Sequence, residues 1–230
     1  MRIAIAGAGT AGLAAAAFLA RDGHDVRLFE RFAEPKPIGA GLLLQPTGLA
    51  CLACLGLDRT IIAQGQPIAG ISGETVKGAR IFDVRYDALG PHVFGLGIHR
   101  GALFTTLYGE VLRLGIPVAA ATEITGTSLV AGGRVLVDRR GQTHGPFDLV
   151  IDCTGVNSPL REAEATISVS RPYAYAAVWG IVAEPAGWPH CDWLVQRYDG
   201  CHTMAGLLPV GRAPGREQPC HGVAAVVALH

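Results

Sequence analysis

Three glycines and one acid near the start of the chain have the types and spacing to hold a phosphate-bearing ligand. Gly7, Gly9 and Gly12 stand in the run Gly7-Ala8-Gly9-Thr10-Ala11-Gly12, and Glu30 follows 18 residues after the last of them. Glycine at 7 permits a tight turn. Glycine at 9 lets the backbone approach a pyrophosphate, and glycine at 12 removes a side chain where a helix meets a strand. An acid about 20 residues further on accepts hydrogen bonds from a ribose 2′-hydroxyl and repels a 2′-phosphate.

The flanking residues supply the elements that such a site needs. Residues 2–6 (RIAIA) predict a short buried strand, and an Ala-rich helix follows the glycines to about Arg21. Asp22-Gly23-His24-Asp25 breaks that helix, and residues 26–29 predict a second strand ending at Glu30. Strand, G-x-G-x-x-G, helix, strand, acid is the dinucleotide-binding order, in which the helix N-terminus offers N–H donors to the anion. The ligand so implied is FAD or NAD(H) rather than NADP(H). The binding candidates here are Gly7, Gly9, Thr10, Ala11, Gly12, Glu30 and its neighbour Arg31. Residues 3–20 carry no charge and could pass for a signal peptide or a membrane span, but the glycines interrupt them and a strand resumes at Val26. They are read as folded structure.

Composition narrows the classes further. The 230 residues include 31 Gly and 14 Pro, too few together for a low-complexity chain. Lys+Arg and Asp+Glu balance at 19 each, which argues against a nucleic-acid footprint. Charged residues make up only 17%, so much of the apolar half of the chain must be hidden. The six cysteines, Cys51, Cys54, Cys153, Cys191, Cys201 and Cys220, are too sparse for a disulfide scaffold and suit reduced thiols in the cytoplasm. Cys51 and Cys54 are read as packing residues of a helix. The neighbouring pairs His190-Cys191, Cys201-His202 and Cys220-His221 lack zinc-ligand spacing, so no metal is expected.

Three further stretches resemble the aromatic-hydroxylase (para-hydroxybenzoate hydroxylase-like) family of FAD-dependent monooxygenases. The first is Pro37-Ile38-Gly39-Ala40-Gly41-Leu42-Leu43-Leu44-Gln45-Pro46-Thr47-Gly48-Leu49, running on to Leu55-Gly56-Leu57, with Thr47 where the family usually has Asn. The second is Ile98-His99-Arg100, which opens a helix over about 100–114. The third, Asp148-Leu149-Val150-Ile151-Asp152-Cys153-Thr154-Gly155-Val156-Asn157-Ser158-Pro159-Leu160-Arg161, is similar to the pattern D-L-V-I-G-A-D-G-x-x-S-x-x-R. Gly155, Ser158 and Arg161 fit that pattern, whereas Asp152 and Thr154 depart from it. The resemblance implies FAD as cofactor, NAD(P)H as electron donor and O2-dependent hydroxylation of an apolar or aromatic small molecule. It adds Gly41, Arg100, Thr154 and Gly155 to the cofactor-binding candidates. No residue is singled out as catalytic, because the cofactor supplies the hard chemistry.

The fold class that follows is α/β. A Rossmann-like FAD-binding domain, a parallel sheet with a hairpin insertion, is interleaved with a mixed or antiparallel substrate-domain sheet. The expected boundaries are 1–67 and 98–165 for the first, and 68–97 and 166–230 for the second. Gly132-Gly133 predicts a two-residue hairpin turn between Thr127–Ala131 and Arg134–Asp138. Strand-like runs at Ile68–Gly73 and Ala79–Tyr86, with aromatic strands holding Tyr173, Tyr175, Trp179, Trp193 and Tyr198, would build the substrate sheet. The last dozen residues carry no motif recognised from the family, and its third signature, G-D-A-x-H, does not occur before His230. The expectation is therefore a truncated member with weak FAD retention, little or no NAD(P)H oxidation, and an exposed apolar surface that makes the monomer poorly soluble and open to self-association. Two other readings stay open: a non-catalytic dinucleotide-binding remnant and an NAD-dependent dehydrogenase. No stable membrane insertion is expected.

Overall fold

The apolar run after Arg2 forms the strand Arg2–Ala6, with only Arg2 exposed. It is continuous rather than alternating because the strand has parallel neighbours on both edges and is covered on both faces. Leu149–Asp152 pairs on one side and Asp25–Phe29 on the other, with Val118–Ala119 beyond, all parallel. The helix Thr10–Arg21 connects the first two strands and buries Gly12, Leu13, Ala16 and Ala17, a single stripe at helical spacing. It stops at Asp22, where Gly23 takes a φ of +82°.

The structure is a computed structural model describing residues 1–36, 39–161, 171, 174–184, 191–212 and 219–228. The chain divides into two compact units, Met1–Pro37 with Phe104–Arg171 and Ile38–Leu103 with Pro172–His230. The parallel sheet belongs to the first. So does an antiparallel insertion of Ile124–Val130, Gly133–Asp138 and Thr143–Phe147. Here the predicted turn slips by one residue: Val130 pairs with Gly133, so the loop is Ala131-Gly132. Gly133 is needed for another reason, since a Cβ there would run into the backbone of Phe147. The third strand of this sheet went unforeseen. Phe29, Ile124, Leu136, Phe147 and Leu160 close one core with Ala4 and Ala6.

This insertion carries a pair of a partly buried His144 and a buried Asp138, with Nε2 and Oδ2 3.0 Å apart. Asp138 also accepts hydrogen bonds from the N–H groups of Arg140 and Gln142. The His144 contact first, then these amides, hold the Asp138 carboxyl below the usual carboxylate range despite its burial. A depressed carboxyl contributes stability above its unfolded value, and that contribution is lost as pH falls through the folded value. Thermal unfolding of Asp138→Asn against the parent should therefore show a gap at neutral pH that narrows below about pH 4. A gap that stays constant down to pH 3 would contradict this role.

The second unit is built from strands that are mostly antiparallel. Gly41–Leu44, Gly95–His99 and Gln66–Ile68 form one small sheet. Tyr175–Ala183, Pro219–Ala228, Thr203–Arg212, Trp193–Asp199, Gly70–Thr75 and Arg80–Arg85 form the larger one, in that order, with only Trp193–Asp199 and Gly70–Thr75 parallel. The stretch 219–228, unassigned from sequence, is thus an internal strand bonded on both sides. Ile68, Tyr86, Leu208 and Val210 form this unit's core cluster, with Leu43, Ile181 and Leu194 against it. The helix Pro46–Cys54 buries Leu52 but leaves Cys51 and Cys54 exposed, which corrects their reading as packing residues. Tyr173, His190 and the side chains of Cys220 and His221 lie outside the described residues.

Candidate functional site

Three neighbouring parallel strands end on the same edge of the first unit's sheet, and each delivers one part of the site. Arg2–Ala6 runs into the glycine turn, Asp25–Phe29 ends at Glu30, and Leu149–Asp152 leads into Cys153–Ser158. This carboxyl edge is where open parallel sheets bind ligands.

The glycine turn is compressed from behind and open in front. Gly7 has a φ of +100°, and its N–H donates to the Phe29 carbonyl at 2.7 Å. A Cβ on Gly7 would meet the Cys153 carbonyl, and one on Gly12 would meet the Gly7 carbonyl. At Gly9 a Cβ would meet nothing within 4 Å. Gly9 is also the N-cap of the helix Thr10–Arg21, and no side chain caps it. The first-turn amides, including those of Thr10 and Ala11, therefore lie at the open end of a helix, positive by its macrodipole. The cradle fits a pyrophosphate: a side chain at 9 would fill it, and among the described residues no side chain caps the donors there.

Glu30 is 8% exposed and does more than wait for a ribose. Its Oε2 accepts the Ala8 N–H and its Oε1 the Phe32 N–H, both at 2.9 Å. The acid fixes the turn and still has a lone pair on each oxygen. Arg31, by contrast, is exposed and lies over the Phe32 ring at 4.7 Å.

The third strand end carries two of the candidates, Thr154 and Gly155, and with them Asp152, which stands in the sequence only as a departure from the resembled pattern. Asp152 Oδ1 accepts the Thr154 N–H at 2.9 Å and the Thr154 hydroxyl at 2.6 Å, and Oδ2 accepts the Ser158 hydroxyl. Burial tends to raise the Asp152 carboxyl, but Ser158, Thr154 and Arg161 together hold it below the usual range. The signal was present as Asp-x-Thr, a spacing at which a carboxylate hydrogen-bonds to the backbone two residues on. Burial, then the Asp152 charge, pushes the Cys153 thiol up, so Cys153 is no thiolate nucleophile. Gly155 has a φ of +92° and open space around its Cβ position.

The other two candidates, Gly41 and Arg100, belong to the second unit. At Gly41 a Cβ would strike the Val210 side chain, so packing alone already requires glycine there. Arg100 opens the helix Arg100–Arg113, and His99 Nδ1 accepts the Gly101 N–H at 3.0 Å as a cap that sequence did not reveal. The Arg100 side chain lies over Gly39, which has a φ of +120° and where a Cβ would come within 2.8 Å of Cδ and Nη1. In the same unit Trp193 lines a groove of about 320 Å³ with Pro67, Val93 and Phe94, and the Arg85 guanidinium sits 5.1 Å from its ring. Among the described residues, no group of three or more His, Cys, Asp or Glu could hold a metal ion.

Sheet, glycine cradle and buried acid define a dinucleotide-binding protein. Within that class the chain belongs to the FAD binding domain family, whose model matches residues 1–210. It is 29% identical over 215 residues to the FAD-dependent monooxygenase opaC of Aspergillus ustus, covering 89% of this chain and 45% of that protein. It is 32% identical over 190 residues to 3-amino-4-hydroxybenzoate 2-monooxygenase of Streptomyces cremeus, covering 79% and 46%. Among solved structures, Klebsiella pneumoniae HpxO complexed with FAD and uric acid superposes with a TM-score of 0.80 at 23% identity, over 99% of this chain and 57% of that one. That likeness bears on the fold, the expected α/β architecture of parallel and mixed sheets. The chain spans about half the length of the curated relatives it matches.

Proposed function

We propose that this protein binds FAD and serves the hydroxylation of an apolar or aromatic small molecule, with NAD(P)H as electron donor and O2 as oxygen source. The observation that carries the reading is the open cradle at Gly9, set beside an acid that anchors the same turn. When bound, the flavin would supply the electron transfer and oxygen chemistry. The chain's own contribution is to bind and orient. The Thr10–Arg21 helix end offers amides to the pyrophosphate, Glu30 accepts from the adenosine ribose, and the Thr154–Gly155 loop flanks the turn. Relatives named as monooxygenases support this over a dehydrogenase. No helix among the described residues is long and apolar enough to cross a membrane. A cytoplasmic protein that self-associates is part of the proposal, supported by the exposure of Val178 and Trp179 on an edge strand.

The test is incubation of the FAD-supplemented chain with NAD(P)H, labelled O2 and a panel of hydroxy-aromatic acids. Incorporation of one labelled oxygen into a product is the expected result. NAD+-linked oxidation without flavin would overturn the proposal in favour of a dehydrogenase, and FAD binding without any turnover would favour a binding remnant.

Arg100 is proposed as a cofactor contact. Arg100→Ala should weaken FAD about tenfold, the scale of a charged hydrogen bond, and Arg100→Lys should recover only part, because a point charge replaces a fork. Parent-like titrations for both variants would remove Arg100 from the site.

A further inference from the structure

The network around Asp152 reaches beyond the glycine cradle. The motif resembled by residues 148–161 has glycine at the position of Asp152 and acid at that of Thr154; here the acid stands two residues earlier. The strand carrying it is bonded directly to the strand that feeds the glycine turn. Ala6 pairs with Asp152, and the Cys153 N–H donates to the Ala6 carbonyl at 2.8 Å. Cys153 is also what lies against Gly7 and Gly12 in the compressed turn.

From this position the carboxylate closes the loop on itself. It takes both donors of Thr154 and the hydroxyl of Ser158, which is 9% exposed. Ser158 Oγ in turn accepts the Leu160 N–H at 3.1 Å, and the Ser158 N–H donates to the Gly155 carbonyl at 3.1 Å. Two consequences follow. The loop has one backbone path beside the turn, with Gly155 at its open tip. The Thr154 hydroxyl has also spent its only proton on Asp152, so towards a ligand it can act only as an acceptor.

We propose that Asp152 is a positioning residue for FAD binding: it fixes Thr154–Ser158 beside the glycine turn and leaves Thr154 as a neutral acceptor where the resembled motif has an acid. The inference rests on the FAD reading above. Without the carboxylate, the Thr154 amide, two hydroxyls and the loop path lose their common anchor. Asparagine keeps one acceptor oxygen and, with the Ser158 hydroxyl turned, a bond on the other side.

The test uses the purified chain and its Asp152→Ala and Asp152→Asn variants, compared by circular dichroism, hydrogen exchange over residues 153–160 and FAD titration. The expected result is a folded Asp152→Ala protein whose loop amides exchange about tenfold faster and whose FAD Kd rises about tenfold, one charged hydrogen bond's worth. Asp152→Asn should lie between it and the parent on both measures. Should the alanine variant fail to fold, Asp152→Asn alone must still show faster loop exchange and weaker FAD. Parent-like exchange or parent-like FAD affinity in the folded variants overturns the inference and leaves the FAD reading intact. A parent that binds no FAD overturns both.

Discussion

Gly9→Val should abolish measurable FAD binding while leaving the protein folded. The Gly9 backbone, φ −72° and ψ −179°, suits any residue, and a Cβ there meets no atom of the described residues within 4 Å. Valine is a poor helix N-cap, so the fold loses about 1 kcal/mol. The branched side chain nevertheless occupies the space in front of the first-turn amides, where a pyrophosphate must approach within hydrogen-bond distance. Losing that approach should weaken FAD by at least about a hundredfold, roughly 3 kcal/mol. Gly12→Val is the informative contrast, since its Cβ would run into the Gly7 carbonyl. That variant should fail in folding before it fails in binding. Circular dichroism with FAD titration separates the two; a Gly9→Val protein that binds like the parent would show that the cradle holds no pyrophosphate.

Glu30→Ala should lose both cofactor affinity and stability, a pair of effects not expected of a simple ligand contact. The lost ribose acceptor should weaken FAD by about 1–3 kcal/mol. The Ala8 and Phe32 amides, which the carboxylate satisfies from a site only 8% exposed, are orphaned at the same time, each at a cost of about 1–3 kcal/mol where water cannot reach it. Glu30→Gln retains one acceptor oxygen but sets an NH2 against a backbone N–H, so it should fall between alanine and the parent in melting temperature. Unchanged FAD affinity in Glu30→Ala, with only the melting temperature lowered, would reduce the acid to a brace for the turn.

The part of this site legible in the sequence is the part governed by local rules. The order from Arg2 to Glu30 was readable because the strand, the glycine turn and the helix each follow from a few adjacent residues. The anchoring of Ala8 by Glu30 was not, because it depends on two strands ending side by side. Asp152 was legible only as a departure from a pattern; its purpose appears when Thr154 and Ser158 fold back onto it. The strand Pro219–Ala228 escaped because a run of Ala and Val carries little period-two signal, and its two partners lie elsewhere in the chain. Gly41 shows the converse. Its place in a family-like loop suggested the cofactor, whereas the contact that demands glycine is Val210.

The central claim, that the cradle at Gly9 and Glu30 binds FAD, is tested most directly by titrating the purified chain with FAD and following flavin fluorescence, with NAD+ as competitor. The account predicts saturable one-to-one binding that NAD+ does not displace and that Gly9→Val eliminates. A folded chain that takes up no FAD, or one that binds NAD+ more tightly than FAD, would contradict it.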